Sequence, residues 1–347
     1  MRTSRPARLP AARTSRLAPF ALALLTSASA LATAGCNNGD SLVLVAGQRV
    51  DSTRIDSDPV SILPAGVLMF TYVDAATMFH SSLGPDVSSM VQSLLPLPPE
   101  ANFVPTRDVT RIFAGTYAMQ GADFCAVVQG NFDVDAIRRG IDLRAVTLGG
   151  VPLVKNRYAD NDLYTAGNIG FTLLTSHTIL TGNETGMRRA LDRIRFGRLT
   201  RAVPTWMTEL GRTPGAAFSI AGDFASESPG GSAVQSMPFL TGATQIRLVG
   251  NFQPPGVNIA GTLTFADEAA ATSADGNIQT LSQISPFMSL LTSIGLGISI
   301  PPIKSVRKEK DVGFTVAMDD NTARTLLRKG GDVLRSTIKI GTQQQPR

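Results

Sequence analysis

Four elements of this chain recur in the same order further along it, and a shared order of that kind restricts the possible folds more than any other feature. "PAGVLMFTYVD" at 64–74 reads as a strand that leaves a proline and ends at Asp74. "PGAAFSIAGDF" at 214–224 repeats it, with Pro214 150 residues after Pro64. "VTRIFAGTYAMQGADFCAVVQGNFDVDAI" then matches "ATQIRLVGNFQPPGVNIAGTLTFADEAAA", and Thr110 and Ile112 correspond to Thr244 and Ile246 at an offset of 134. Each reads as a strand, a Gly-containing turn, a second strand and an acidic helix start. Finally "NIGFTLL" (168–174) resembles "DVGFTVA" (311–317), and each leads towards an Arg-containing helix, "NETGMRRALDRI" and "DDNTARTLLRKG".

These elements predict an α+β fold of two similar antiparallel-sheet units, over 61–205 and 212–340. Each unit is expected as β-α-β-β-α-β-β-α with its helices on one face, distantly like a ferredoxin-type split βαβ unit. Alternation supports the first hairpin, with Ile112, Ala114, Thr116 and Ala118 facing Phe124, Ala126 and Val128. Asp133 precedes one helix, and Asn183 or Glu184 opens the helix that carries Met187, Ala190, Leu191 and Ile194.

Residues Pro64, Ala65 and Asp74, with the joint Gly130-Asn131-Phe132-Asp133, resemble a group of extracytoplasmic bacterial proteins. Those begin with a Pro-Ala-led strand ending on Asp after a signal, and they repeat Gly-x-Phe-Asp joints between strand and helix. The likeness spans most of residues 60–335. It implies a place outside the cytoplasm and no particular chemistry.

The N-terminus agrees with that placement. Five arginines (Arg2, Arg5, Arg8, Arg13, Arg16) and no acid precede an uncharged stretch from Leu17 to Gly35, most apolar at 21–25 and rich in small residues after it. A basic start, a short apolar run and a small-residue tail form a secretory signal, expected over 1–35. Its Ala, Ser and Thr content and Pro19 argue against a permanent span. Ala28-Ser29-Ala30 and Ala32-Thr33-Ala34 both suit ordinary signal cleavage. Ala34-Gly35-Cys36 also resembles the end of a bacterial lipobox, although Thr33 stands where an aliphatic residue is usual. Lipidation of Cys36 is the favoured reading, followed by a flexible tether over 36–60. The competing readings are plain secretion and a disulfide to Cys125. Cys125 alternates with apolar neighbours like an inward strand residue, which disfavours the disulfide.

Removal of the signal leaves 32 − 5 = 27 basic residues against 27 acidic ones. No net field remains to hold a polyanion, so nucleic acid is not an expected partner. Two cysteines exclude a thiolate metal site, and no metal or cofactor is expected.

Catalytic motifs are not found: no Gly-x-Ser-x-Gly, phosphate-binding loop or His-Glu-x-x-His is present. The two histidines, His80 and His177, read as helix and turn residues. The pairs Asp133/Asp135 and Asp319/Asp320 read as helix starts and Asp160/Asp162 as a turn. Two surfaces remain as candidate contacts. One is the arginine-rich helix with Arg188, Arg189, Arg193, Arg195, Arg198 and Arg201, which suits a lipid headgroup or acidic partner, or a solvated helix face. The other is the uncharged stretch 276–303, where Phe287, Leu290, Leu291 and Ile294 recur at helical spacing. It reads as a buried amphipathic helix, or as a groove for an acyl chain or partner protein. The expected function is a non-catalytic, membrane-anchored envelope lipoprotein whose body faces the periplasm or cell surface. Carriage of a hydrophobic ligand is the alternative, and a hydrolase with an unrecognised site is the third.

Overall fold

The computed structural model describes residues 42–43, 49–95, 97–118, 123–147, 150–225, 241–293 and 301–328. β1 (Leu42–Val43) pairs with β2 (Arg49–Val50) as a small ribbon. Every other strand joins one antiparallel sheet of 12, so the protein is α+β.

The first half of the sheet contains β3 (Met69–Asp74), β4 (Val109–Ala118), β5 (Asp123–Gly130), β6 (Val154–Tyr158), β7 (Asn161–Ala166), β8 (Ile169–Leu173) and β9 (Thr178–Asn183). The second half contains β10 (Phe218–Asp223), β11 (Ala243–Asn251), β12 (Gly256–Phe265), β13 (Ile303–Lys308) and β14 (Asp311–Asp319). β3 and β10 pair at the centre, Val73 with Phe218 through to Met69 with Gly222. Outward from them the order is β3-β4-β5-β9-β8-β7-β6 on one side and β10-β11-β12-β14-β13 on the other.

This arrangement departs from the expected pair of units in four ways. The two stretches share one sheet, because β3 and β10 close each other's edge. The ferredoxin-type order is met only in part: β3 and β4 are antiparallel neighbours, where a split βαβ unit holds its two helix-linked strands parallel with a third between them, whereas β12 and β13, linked by a helix and flanking β14, do have that order. The first half has four strands between its second and third helical regions where two were expected. By position, β14 corresponds to β9 rather than to β8, because each pairs with the second hairpin strand, β12 or β5, and runs straight into a helix.

The helices also lie on both faces. Strand alternation makes both faces of β5 apolar: Cys125 and Val127 point one way, Val128 the other. α1 (Ser52–Ser57), α6 (Glu184–Arg195) and α7 (Thr205–Leu210) cover the Val127 side, contributing Ile55, Met187, Leu191, Ile194 and Met207. α2 (Ala75–Phe79), α3 (Gly84–Leu94) and α5 (Val134–Leu143) cover the Val128 side with Met78, Val87, Val91, Ile137 and Ile141. α8 (Glu268–Ser293) lies on that same side, packing Ala271, Ala274 and Ile278 onto Leu263, Phe265 and Val312. Between β3 and β4, α4 (Pro105–Asp108) completes the connection.

The N-terminal end of the fold begins earlier than expected. Within the supposed tether, residues 49–60 are folded: Asp51 caps α1, and Val50, Ile55 and Val60 are buried with Ile62 and Leu63 against the sheet. Asp56 fixes the segment, accepting hydroxyl bonds from Thr175 and Thr178 at 2.6 Å each. Gln129 donates to the Asp56 carbonyl at 2.7 Å. The Asp and Ser residues suggested solvent, but the apolar positions between them decide the outcome. The signal over 1–35, Cys36 and residues 37–41 and 44–48 of the tether lie outside the described residues.

Among the described residues both ends of the sheet are open edges, β6 and β13, and charged side chains occupy them: Lys155 and Arg157 on one, Lys304, Arg307 and Lys308 on the other. Such residues discourage strand addition by a second chain.

Candidate functional site

The arginine helix is held close to the sheet. Asn183 caps α6, accepting from the Gly186 amide at 3.2 Å and from the Phe124 amide at 3.1 Å. A Cβ on Gly186 would stand 2.4 Å from the Phe124 carbonyl oxygen, so only glycine permits this approach. With Met187, Ala190, Leu191 and Ile194 buried, the arginines leave from the flanks of the helix.

Most of those arginines are engaged inside the protein. Arg188 pairs with Glu184 at 2.6 Å and lies over the Tyr158 ring, whose hydroxyl donates to Asp192. Arg189 reaches Asp123 at 3.1 Å and the Ala65 carbonyl at 2.8 Å, above Tyr117. Arg193 donates to the carbonyls of Ser61 and Thr200, and burial lowers its pKa. Arg201 grips Asp58 at 2.9 Å, and Arg54 donates to the Leu199 carbonyl. Arg193, Arg201 and Arg54 thus clamp the 50–63 segment onto α6 and the loop that follows it, while Arg189 ties α6 to β5 and Ala65. Arg195 and Arg198 instead flank Phe196, which is 55% exposed.

The final helices differ between the halves, and that difference opens a surface. After β9, α6 covers the Val127 side. After β14, the helix at 320–328 turns to the opposite side, where Ala323 packs, Arg324 donates to the Ser82 carbonyl and Arg328 pairs with Asp86 on α3. The two helices were expected to coincide, and they lie on opposite faces. Consequently, although α7 packs on β10 and β11, no helix among the described residues lies over the part of that sheet face formed by Asn258, Ala260, Thr315, Ala317 and Lys304. Residues 213–216 wall one side and Pro302 the other, enclosing a groove of about 670 Å³. Its floor is small and apolar, with Val249, Ala260 and Ala317. At one end Asn258 donates to Asn251 at 3.2 Å and to the Gln253 carbonyl at 2.9 Å. Lys304 stands at the other side. The groove offers shape, amides and one cation, which are means of holding a partner.

No protein-family model matches the chain, and no curated protein matches it significantly. Among solved structures it is similar to crystal forms I and III of TP0453, at TM-scores of 0.47 and 0.46 and identities of 9% and 8%. Each match covers 77% of this chain and 96% of that one. The likeness carries no argument about chemistry here.

The remaining sequence candidates fall into local roles. His80 Nδ1 contacts the Ala76 carbonyl at 2.6 Å, and His177 Nδ1 the Gly130 carbonyl at 3.0 Å. Asp133 caps α5, and Asp319 caps the 320–328 helix through the amides of Asn321 and Thr322. Asp160 occupies the β6–β7 turn at φ 62, beside Asp162, which pairs with Lys155 at 3.0 Å. Cys125 is fully buried, and burial raises its thiol pKa. Phe287, Leu290 and Leu291 lie on α8, in keeping with their helical spacing, but their side chains and Ile294 fall outside the described residues. The described residues hold no helix long and apolar enough to cross a membrane and no cluster of metal-binding side chains.

Proposed function

We propose that this chain is exported, is anchored to a bacterial envelope membrane through lipid on Cys36, and acts there as a non-catalytic binding or assembly protein. Its body faces the periplasm or the cell surface. The leader, the Ala34-Gly35-Cys36 ending and the neutral body support the location. The observation that carries the binding role is the walled groove on the second half's open face. Covering that face would bury Val249, Ala260 and Ala317, a gain available to a partner surface. The same apolar floor favours carriage of a hydrophobic ligand as the second reading.

Duplication belongs to this proposal. Its support is the common order outward from β3 and β10, together with matching detail. Gly66 and Gly215 follow Pro64 and Pro214 with φ of +82 and +78, a left-handed turn suited to glycine. Asp133 caps α5 by the Ala136 amide, and Asp267 receives the Ala270 amide at the start of α8, both at 2.8 Å. In this reading the second copy lost its covering helix from one face and gained a contact surface there.

Native mass spectrometry of protein extracted from its own host tests the proposal. The expected mass is that of the chain from Cys36 onward plus a covalent lipid, with no small molecule held in the groove. A non-covalent adduct absent from Ala260→Trp would establish carriage instead, and an unmodified Cys36 would remove the anchor.

A further inference from the structure

A second cavity, separate from the groove, lies between the 57–60 segment and α7 on the first half of the sheet. Phe70, Tyr72 and Phe113 form its floor, and the Tyr72 and Phe113 rings meet at 5.4 Å. Arg111, Arg201 and Arg212 stand around it. Of the three, Arg201 is held by Asp58, the one carboxylate in the lining. Arg111 and Arg212 are exposed and have no ion-pair partner among the described residues. Within the lining, three guanidiniums against one carboxylate leave a formal excess of two positive charges, with Asp74, across the strand ladder from Arg111, standing outside it. Burial first, and Asp74 after it, hold the Tyr72 phenol protonated, so the floor adds no negative charge.

We propose that this cavity binds a small aromatic carboxylate, its ring against Tyr72 and Phe113 and its carboxylate between Arg111 and Arg212. The chemistry follows from the two parts of the lining. Aromatic rings favour offset or tilted stacking with a planar ring, and a guanidinium fork matches a carboxylate in two parallel hydrogen bonds. Size restricts the ligand further: the volume is about 220 Å³, below the several hundred of drug-sized sites, which suits a single ring. Arg201 keeps the 57–60 segment in place through Asp58 and thereby shapes one wall. The proposal stands whether or not the anchor or the groove does.

The test is calorimetric titration of the folded chain with benzoate, cyclohexanecarboxylate and inorganic phosphate. Benzoate is expected to bind, cyclohexanecarboxylate several-fold more weakly, and phosphate more weakly still. Arg111→Gln with Arg212→Gln should weaken benzoate about tenfold or more, the scale of losing charge-assisted bonds at a partly solvated rim. Both residues are exposed and unpaired, so the double variant should keep its fold, which circular dichroism checks. Tyr72→Leu should erase the preference for benzoate over cyclohexanecarboxylate. No benzoate binding by the folded wild type would overturn the proposal. So would binding unchanged in the double variant, or phosphate binding as tightly as benzoate.

Discussion

Thr110 and Thr244 occupy the same place in two hairpins. Each lies where the strand ladder slips by one residue, and each hydroxyl donates across the hairpin at 3.1 Å, to the carbonyls of Gln129 and Thr264. A bulge leaves one residue out of the ladder and sharpens the local twist, and here a threonine hydroxyl supplies the missing cross-strand bond in both. If the hairpins share an origin, the two residues do the same work. Thr110→Val and Thr244→Val should each destabilise by about 1 kcal/mol, the net worth of one such bond. Urea unfolding measures both, and a large loss at one site with none at the other would separate the hairpins.

The segment at 49–63 should behave as core. Limited proteolysis is expected to spare 51–62, because Ile55, Ile62 and Leu63 are fully buried. Ile55→Ala should cost about 2–5 kcal/mol, the range for emptying a buried aliphatic site. Ready cleavage within 51–62 of the native protein would show that the segment does not dock.

Arginines on one helix should differ sharply in their effect on stability. Arg189→Met breaks the Asp123 pair and the Ala65 contact over Tyr117, so a loss of about 1–2 kcal/mol is expected even with solvent screening at this half-exposed position. Arg198→Gln removes only a contact with the exposed Phe196 and should stay within about 0.5 kcal/mol of wild type. Thermal unfolding compares them. Equal losses would mean that the internal clamp does not exist.

Acid should weaken the 320–328 helix cap. The Thr322 amide and hydroxyl hold the Asp319 carboxyl below its ordinary value of 3.8. A group whose pKa is lower when folded stabilises the protein above its unfolded value, and that contribution fades as pH falls through the folded one. Asp319→Ala should therefore be less stable than wild type at about pH 6, and the gap should narrow at about pH 3. A gap that widens on acidification would contradict the assignment.

Local patterns in the sequence reached much of the architecture. Alternation identified the β4–β5 strands, and the caps at Asp133 and Asn183 stand as expected. The pairing of β3 with β10 was not legible, because both strands are short and nothing in either names its partner. The covering of both faces is hidden for a related reason: runs such as Cys125 to Val128 are apolar on both sides, which masks the alternation. Among site residues, Arg189 and Arg201 looked free because their carboxylates, Asp123 and Asp58, lie 66 and 143 residues away in sequence. The groove depends on which face the helix after β14 selects, a choice made by Ala323 joining the core on the Val128 side and by Arg328 pairing with Asp86 of α3. Asn258 and Ala260, small residues alternating along β12, are its local sign in the sequence.

The central claim is that Cys36 carries the lipid that holds a neutral body at the membrane. Each buried methylene adds roughly 0.8 kcal/mol, so several acyl chains on one residue give durable attachment, whereas the basic leader is lost with the signal. Metabolic labelling with radioactive palmitate, followed by detergent phase separation, compares wild type with Cys36→Ser. Wild type should take the label and enter the detergent phase, and Cys36→Ser should be unlabelled and released, since cleavage after Ala30 or Ala34 remains open to it. Unlabelled protein in the aqueous phase for both would contradict the account and leave a plainly secreted protein.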